Sequence, residues 1–193
     1  MNKQAEEAIK VFKKGGIVIF PTDTAFGIGC RIDNEKAVFR LFEIRKRPRN
    51  KAVPVLFDSI DMVRKYVEEI PQDVEDLMKK YWPGALTIIL KSRKGAISNL
   101  VLGGGETVGV RIPNHPTILK IIERVGVPIL GPSANFSGQK TAYSFEDLDR
   151  QLVSLVSFVV KGETKDLKMA STVIDCSKKP WTVLRKGAIP LSF

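Results

Sequence analysis

A chain of 193 residues, 44% hydrophobic and 27% charged, can bury a core and is most simply one domain, residues 1–193. Its 31 Lys and Arg against 21 Asp and Glu give a net charge of +10, which implies anionic partners, polyphosphate or RNA, without choosing between them. No apolar run approaches the roughly 20 residues needed to span a bilayer, Met1 to Glu7 hold no signal core, and the distant Cys30 and Cys176 make neither a disulfide framework nor a metal spacing; the expected location is the reducing cytoplasm.

Helical and extended patterns then alternate along the chain. Ala5, Ala8, Ile9 and Phe12 form a helical stripe, stopped by Gly15-Gly16. Ile17-Val18-Ile19-Phe20 leaves no solvent face and predicts a strand buried on both sides. Asp33 or Asn34 caps a second helix carrying Val38, Leu41 and Phe42. Residues 53–57 predict a strand, 59–66 and 71–81 two helices, and 86–90 and 107–112 two more strands. Residues 91–105 between them are the candidate mobile segment. A helix over 116–125 ends at Gly126. Short strands at 128–130 and 156–160 flank a helix near 144–152, and strands at 172–175 and 182–184 close the series. Strands interleaved with helices predict an α/β fold, and the close spacing of the late strands predicts a mixed sheet.

The chemistry-bearing segments lie at strand ends, where open α/β sheets bind ligands. Pro21-Thr22-Asp23-Thr24-Ala25-Phe26-Gly27 follows the first strand and offers hydroxyls and a carboxylate, although the same residues make an ordinary turn. Five basic residues fall within seven positions in Arg45-Lys46-Arg47-Pro48-Arg49-Asn50-Lys51, a run that can hold a polyanion or stand as a solvated loop. Gly103-Gly104-Gly105 lacks the Lys-Ser or Lys-Thr of a phosphate loop and predicts a flexible loop. Thr107 and Arg111, four apart on a strand, share a face; the guanidinium there needs either an internal carboxylate or a ligand carboxylate. Gly131-Pro132-Ser133-Ala134-Asn135 lets a ligand approach the backbone. His115 is the single histidine and stands between Asn114 and Pro116, where a turn role outweighs catalysis.

Seven pieces in order carry a resemblance. They are Pro21-Thr22-Asp23-Thr24-Ala25-Phe26-Gly27, Arg45-Lys46-Arg47-Pro48, Trp82-Pro83-Gly84-Ala85-Leu86-Thr87 and Val110-Arg111-Ile112-Pro113-Asn114-His115-Pro116. Ser133-Ala134-Asn135-Phe136-Ser137-Gly138, Ser171-Thr172-Val173-Ile174-Asp175 and Leu184-Arg185-Lys186-Gly187 complete the set. Together they resemble the YrdC-type domain family, the threonylcarbamoyl-adenylate synthases. The resemblance implies a twisted mixed β-sheet flanked by helices around a large basic cavity. It implies a nucleotidyltransferase that makes threonylcarbamoyl-adenylate and diphosphate from L-threonine, bicarbonate and ATP with Mg²⁺. A threonylcarbamoyl-transfer protein complex would then modify adenosine 37 of tRNA.

Carried over by position, Thr24, Arg111, the Gly131 backbone and Ser171 would bind threonine. Arg47, Lys51 and Arg185 would meet the ATP phosphates, with Thr107, Ser133, Asn135 and Thr141 around the nucleotide. Arg45 and Arg47 would serve catalysis. Two departures stand out: Arg45 takes the position where the family usually has lysine, and Phe26 replaces a common tyrosine. The chain ends soon after the last piece, as in the short, single-domain form. Competing readings are a YciO-like paralogue of weak or different activity, which Arg45 favours and Ser133-Ala134-Asn135 opposes, and a non-catalytic protein binding tRNA or double-stranded RNA. A carbamoyl-transfer module like that of hydrogenase maturation lacks its zinc-binding segments here.

Overall fold

A computed structural model describes residues 3–165 and 167–191. Helix α1 (Lys3–Lys13) leads into β1 (Val18–Pro21) and β2 (Phe26–Gly29), then α2 (Glu35–Ile44), β3 (Val55–Leu56), α3 (Ile60–Arg64) and α4 (Gln72–Tyr81). The chain continues through β4 (Leu86–Lys91), α5 (Asn99–Leu102), β5 (Thr107–Arg111), α6 (Pro116–Val125) and β6 (Ile129–Leu130). It closes with α7 (Arg150–Leu155), β7 (Phe158–Val159), β8 (Thr172–Asp175) and β9 (Thr182–Arg185). Among the described residues no helix is long and apolar enough to cross a membrane.

The strands form two mixed sheets, β2-β1-β7 and β6-β3-β5-β4-β8-β9. In the larger one, β3 runs parallel to β5 and β4 parallel to β8, and the remaining pairs are antiparallel. The sheets meet along β2 and β6, where Ile28 N–H donates to Pro132 O and Leu130 N–H to Cys30 O, both at 2.9 Å. Gly29 permits this approach: a Cβ there would lie 1.9 Å from the Leu130 carbonyl oxygen.

Alternation along the strands divides the core. Ile19, Val55 and Leu130 face one cluster with Val38, Leu41 and Met78 of α2 and α4. Their neighbours Val18, Phe20, Leu56 and Ile129 face a second cluster with α1 and α6. The four apolar residues after Gly16 are therefore buried on both sides, as the unbroken run predicts, and each such side chain contributes about 1.5–3 kcal/mol of burial.

Capping sets the helix starts. Asn34, not Asp33, caps α2 by accepting from Ala37 N–H at 3.0 Å, while Asp33 pairs with Arg31. Ser59 and Asp149 cap α3 and α7, so the last helix begins six residues later than the pattern over 144–152 suggests. Two elements depart from expectation outright: residues 26–29 form a strand, and the segment 91–105 contains α5. That helix ends at Gly103 in the left-handed region, φ 64°.

Candidate functional site

One face of the larger sheet floors a cavity of about 320 Å³. Thr87 and Ile89 of β4, Thr107, Gly109 and Arg111 of β5, Val173 of β8 and Arg185 of β9 line it. The spacing of two places them on one side of the pleat, and Thr107 and Arg111 share that face as predicted. The β1–β2 turn, the segment after α2 and residues 131–133 after β6 supply the walls. The volume sits at the lower end of the roughly 300–1,000 Å³ typical of ligand pockets, smaller than the large cavity expected. Among the described residues four arginines line it, and no lysine, aspartate or glutamate does.

Each of the four arginines gives its Nε–H to a backbone carbonyl. Arg45 donates to Asn135 O at 3.1 Å, Arg47 to Lys51 O at 3.1 Å, Arg111 to Gly84 O at 2.9 Å and Arg185 to Ser171 O at 2.9 Å. The side-chain stems are thereby fixed and the η nitrogens left for other partners. Arg45, at the C-cap of α2, is 3% exposed and its Nη1 has no partner among the described residues. Burial, and secondarily the charge of Arg47, push its pKa down to about 10. Burial also lowers Arg47 and Arg185 from the usual arginine range. The Arg47 Nη2 donates to Ala52 O at 2.5 Å, so this arginine pins the basic loop that contains it.

Arg111 is a different case. Its Nη2 pairs with Asp23 at 2.5 Å, both groups being buried, and its Nη1 donates to Thr24 Oγ1 at 2.9 Å. Burial lowers its pKa, and the Asp23 charge opposes that. The internal carboxylate foreseen as one option for Arg111 is thus Asp23. Three of its five N–H donors are engaged, leaving two. Thr22 shapes the turn that holds Asp23 and Thr24: its hydroxyl donates to Ala25 O at 2.7 Å and accepts the N–H groups of Thr24 and Ala25, each at 3.2 Å. Across the floor, Ser171 Oγ accepts from Arg185 Nη2 at 3.0 Å and lies 2.9 Å from Thr87 Oγ1.

Ten of the twelve residues singled out in sequence line the cavity: Thr24, Arg45, Arg47, Thr107, Arg111, Gly131, Ser133, Thr141, Ser171 and Arg185. The N–H of Gly131 is held by Pro54 O at 2.9 Å and is not free to donate to a ligand. Lys51 and Asn135 stand outside the lining. Lys51 is exposed, and its carbonyl anchors Arg47. Asn135 sits behind Arg45; its Nδ2 donates to Phe136 O and Gln139 O, and its buried Oδ1 has no partner among the described residues. His115 is also outside, with Nε2 3.2 Å from Glu163 O and a pKa lowered by burial.

Sequence reasoning passed over Thr22, Asp23, Gly84 and Thr87 as individual site residues. All four lie inside quoted segments. Only the fold shows that Asp23 reaches Arg111, 88 positions away.

The Sua5/YciO/YrdC family, described as "Telomere recombination", matches residues 10–187. The threonylcarbamoyl-AMP synthase of Bacillus subtilis is 34% identical over 96% of this chain, and that of Pyrococcus abyssi 35% over 93%. The chain spans only 54% and 52% of those two relatives. The Vibrio vulnificus threonylcarbamoyl-AMP synthase is 32% identical over 97% of this chain and is covered along 100% of its own length. Among solved structures, P. abyssi Sua5 complexed with L-threonine superposes with a TM-score of 0.93 at 34% identity, covering 97% of this chain and 55% of that one. E. coli YciO superposes at 0.84 with 27% identity, covering 95% and 88%. With a match over nearly its whole length and a shared fold, the chain belongs to the Sua5/YciO/YrdC family.

Proposed function

We propose that this protein is a threonylcarbamoyl-AMP synthase, a nucleotidyltransferase that joins L-threonine, bicarbonate and ATP into threonylcarbamoyl-adenylate and diphosphate. The observation that carries the reading is the set of four backbone-tethered arginines in a cavity that no carboxylate lines among the described residues. Such a site is built to neutralise a polyanion, not to provide a nucleophile or an acid/base pair. The reaction asks for nothing else. The threonine amine adds to bicarbonate with loss of water, giving a carbamate. A carbamate oxygen forms a bond to the α-phosphorus, the bond to the bridging oxygen breaks, and diphosphate leaves with that electron pair. Positioning and charge stabilisation supply the acceleration.

In this reading Arg111 offers its two remaining N–H groups to the threonine carboxylate, with Thr24 and Ser171 beside it, and the Gly131 carbonyl accepts from the threonine amine. Arg45, Arg47 and Arg185 face the phosphates, and Thr107, Ser133 and Thr141 complete the nucleotide side. Lys51 and Asn135 act from behind by fixing Arg47 and Arg45. Among the described residues no group of three or more His, Cys, Asp or Glu could hold a metal. Mg²⁺ needs few protein ligands and would travel mainly on the nucleotide's phosphate oxygens and water. The adenylate would pass to a threonylcarbamoyl-transfer complex acting on tRNA, in the cytoplasm.

The test is diphosphate release with ATP, Mg²⁺, bicarbonate and L-threonine, compared with threonine or bicarbonate omitted and with serine in place of threonine. Release that needs both substrates, with threonylcarbamoyl-adenylate identified by mass spectrometry, is expected. ATP binding without threonine-dependent release would overturn the synthase reading in favour of a YciO-like paralogue.

A further inference from the structure

We propose that Thr87 is a positioning residue that acts through Ser171 to make that hydroxyl a donor toward the carboxylate of the amino-acid substrate. The inference rests on the synthase reading above and adds a residue to it. Thr87, Ser171 and Arg185 lie on or beside three adjacent strands, β4, β8 and β9. Their polar atoms form one chain: Thr87 Oγ1 is 2.9 Å from Ser171 Oγ, which accepts from Arg185 Nη2 at 3.0 Å.

A serine hydroxyl has one proton and two lone pairs. Arg185 fills one lone pair. With no ligand, the Thr87–Ser171 bond can run in either direction. A carboxylate is acceptor-only, so when one binds at Ser171 that residue's proton must go to it. The second lone pair of Ser171 is then satisfied only if Thr87 donates. Ligand, Ser171 and Thr87 therefore fall into a single direction of donation, and hydrogen bonds in such a chain polarise one another.

Two features fix Thr87 for this task. It is 5% exposed, so bulk water does not substitute for its hydroxyl. Its methyl group lies 3.3 Å from where a Cβ on Gly109 would stand. The absence of a side chain at 109 leaves room for that methyl, and with the methyl seated there the hydroxyl is turned to Ser171. Arg185 does not depend on Thr87 in the same way, because its Nε bond to Ser171 O persists without it.

The experiment compares wild type, Thr87→Val and Thr87→Ser, reading KM for threonine and KM for ATP separately, with melting temperature alongside. Loss of one net hydrogen bond predicts a threonine KM raised about five- to tenfold in Thr87→Val. The ATP KM and kcat should stay within about twofold, and Thr87→Ser, which keeps the hydroxyl without the methyl that seats it, should bring the threonine KM back to within about twofold of wild type. If Thr87→Val does not fold, Thr87→Ala makes the same comparison. A wild-type threonine KM in the hydroxyl-less variant, or equal rises in both KM values with a lowered melting temperature, would overturn the inference alone. A wild-type protein without threonine-dependent turnover would overturn the synthase reading and this inference with it.

Discussion

Replacing Arg45 with methionine should make the ligand-free protein more stable while crippling nucleotide binding. The guanidinium is 3% exposed and lies near another cation, Arg47, and one of its η nitrogens has no partner among the described residues. Its pKa falls from the usual arginine range to about 10, which at about 1.4 kcal/mol per pH unit means that folding with the charge in place costs roughly 3 kcal/mol. Arginine keeps its proton at neutral pH, so the cost persists.

Methionine retains an unbranched stem but gives up the bond from Nε to Asn135 O, offsetting about 1–2 kcal/mol. The net gain is then about 1–2 kcal/mol, or a rise of about 2–8 °C in Tm for a chain of this size. The sign of the pH dependence follows from the lowered pKa. The unfolded chain holds this proton more tightly, so the penalty is full below about pH 10 and fades as pH rises through that value. The difference between the two proteins should accordingly shrink above pH 10. Urea and thermal unfolding at pH 7.5, with and without ATP, is the assay. An Arg45→Met protein less stable than wild type by more than about 1 kcal/mol would mean that the fold compensates the charge, and would refute this.

Arg111→Lys should cost about 2–4 kcal/mol of stability and raise the threonine KM, because one ammonium facing Asp23 gives up the bonds to Thr24 Oγ1 and Gly84 O; an unfolding free energy within about 0.5 kcal/mol of wild type would contradict this. Cys30 and Cys176 should resist alkylation in the folded protein at pH 8 and react fully in denaturant. Burial raises both thiols, Cys176 to about 12, and mass spectrometry of iodoacetamide-treated native protein checks the point.

What the sequence disclosed depended on whether a signal was local. The run Ile17-Val18-Ile19-Phe20 announced a strand covered on both faces because its own composition left no other option. Residues 26–29 did not announce one, since Gly27 and Gly29 weaken strand propensity; β2 forms because Gly29 admits the Leu130 carbonyl. The glycines at 103–105 were legible as a break, yet the first of them ends a short helix that its neighbours alone do not declare. In the site, residue types and strand ends were readable, and ten of twelve singled-out positions line the cavity. The pairing of Asp23 with Arg111 and the place of Asn135 behind Arg45 were not, because both arise from contacts about 90 positions apart.

The Nε tethers also bear on entropy. A free arginine side chain carries about 2 kcal/mol of rotamer freedom, and an anion that has to gather mobile arginines loses that freedom at the moment of binding. Here the four side chains are already tied to carbonyls at residues 51, 84, 135 and 171. Their ordering falls on folding, so an arriving polyanion meets cations that need little further immobilisation. A lysine in any of these places has a single terminal ammonium and cannot be anchored at one atom while offering others. The same tethers therefore make Arg47, Arg111 and Arg185 intolerant of a charge-preserving exchange.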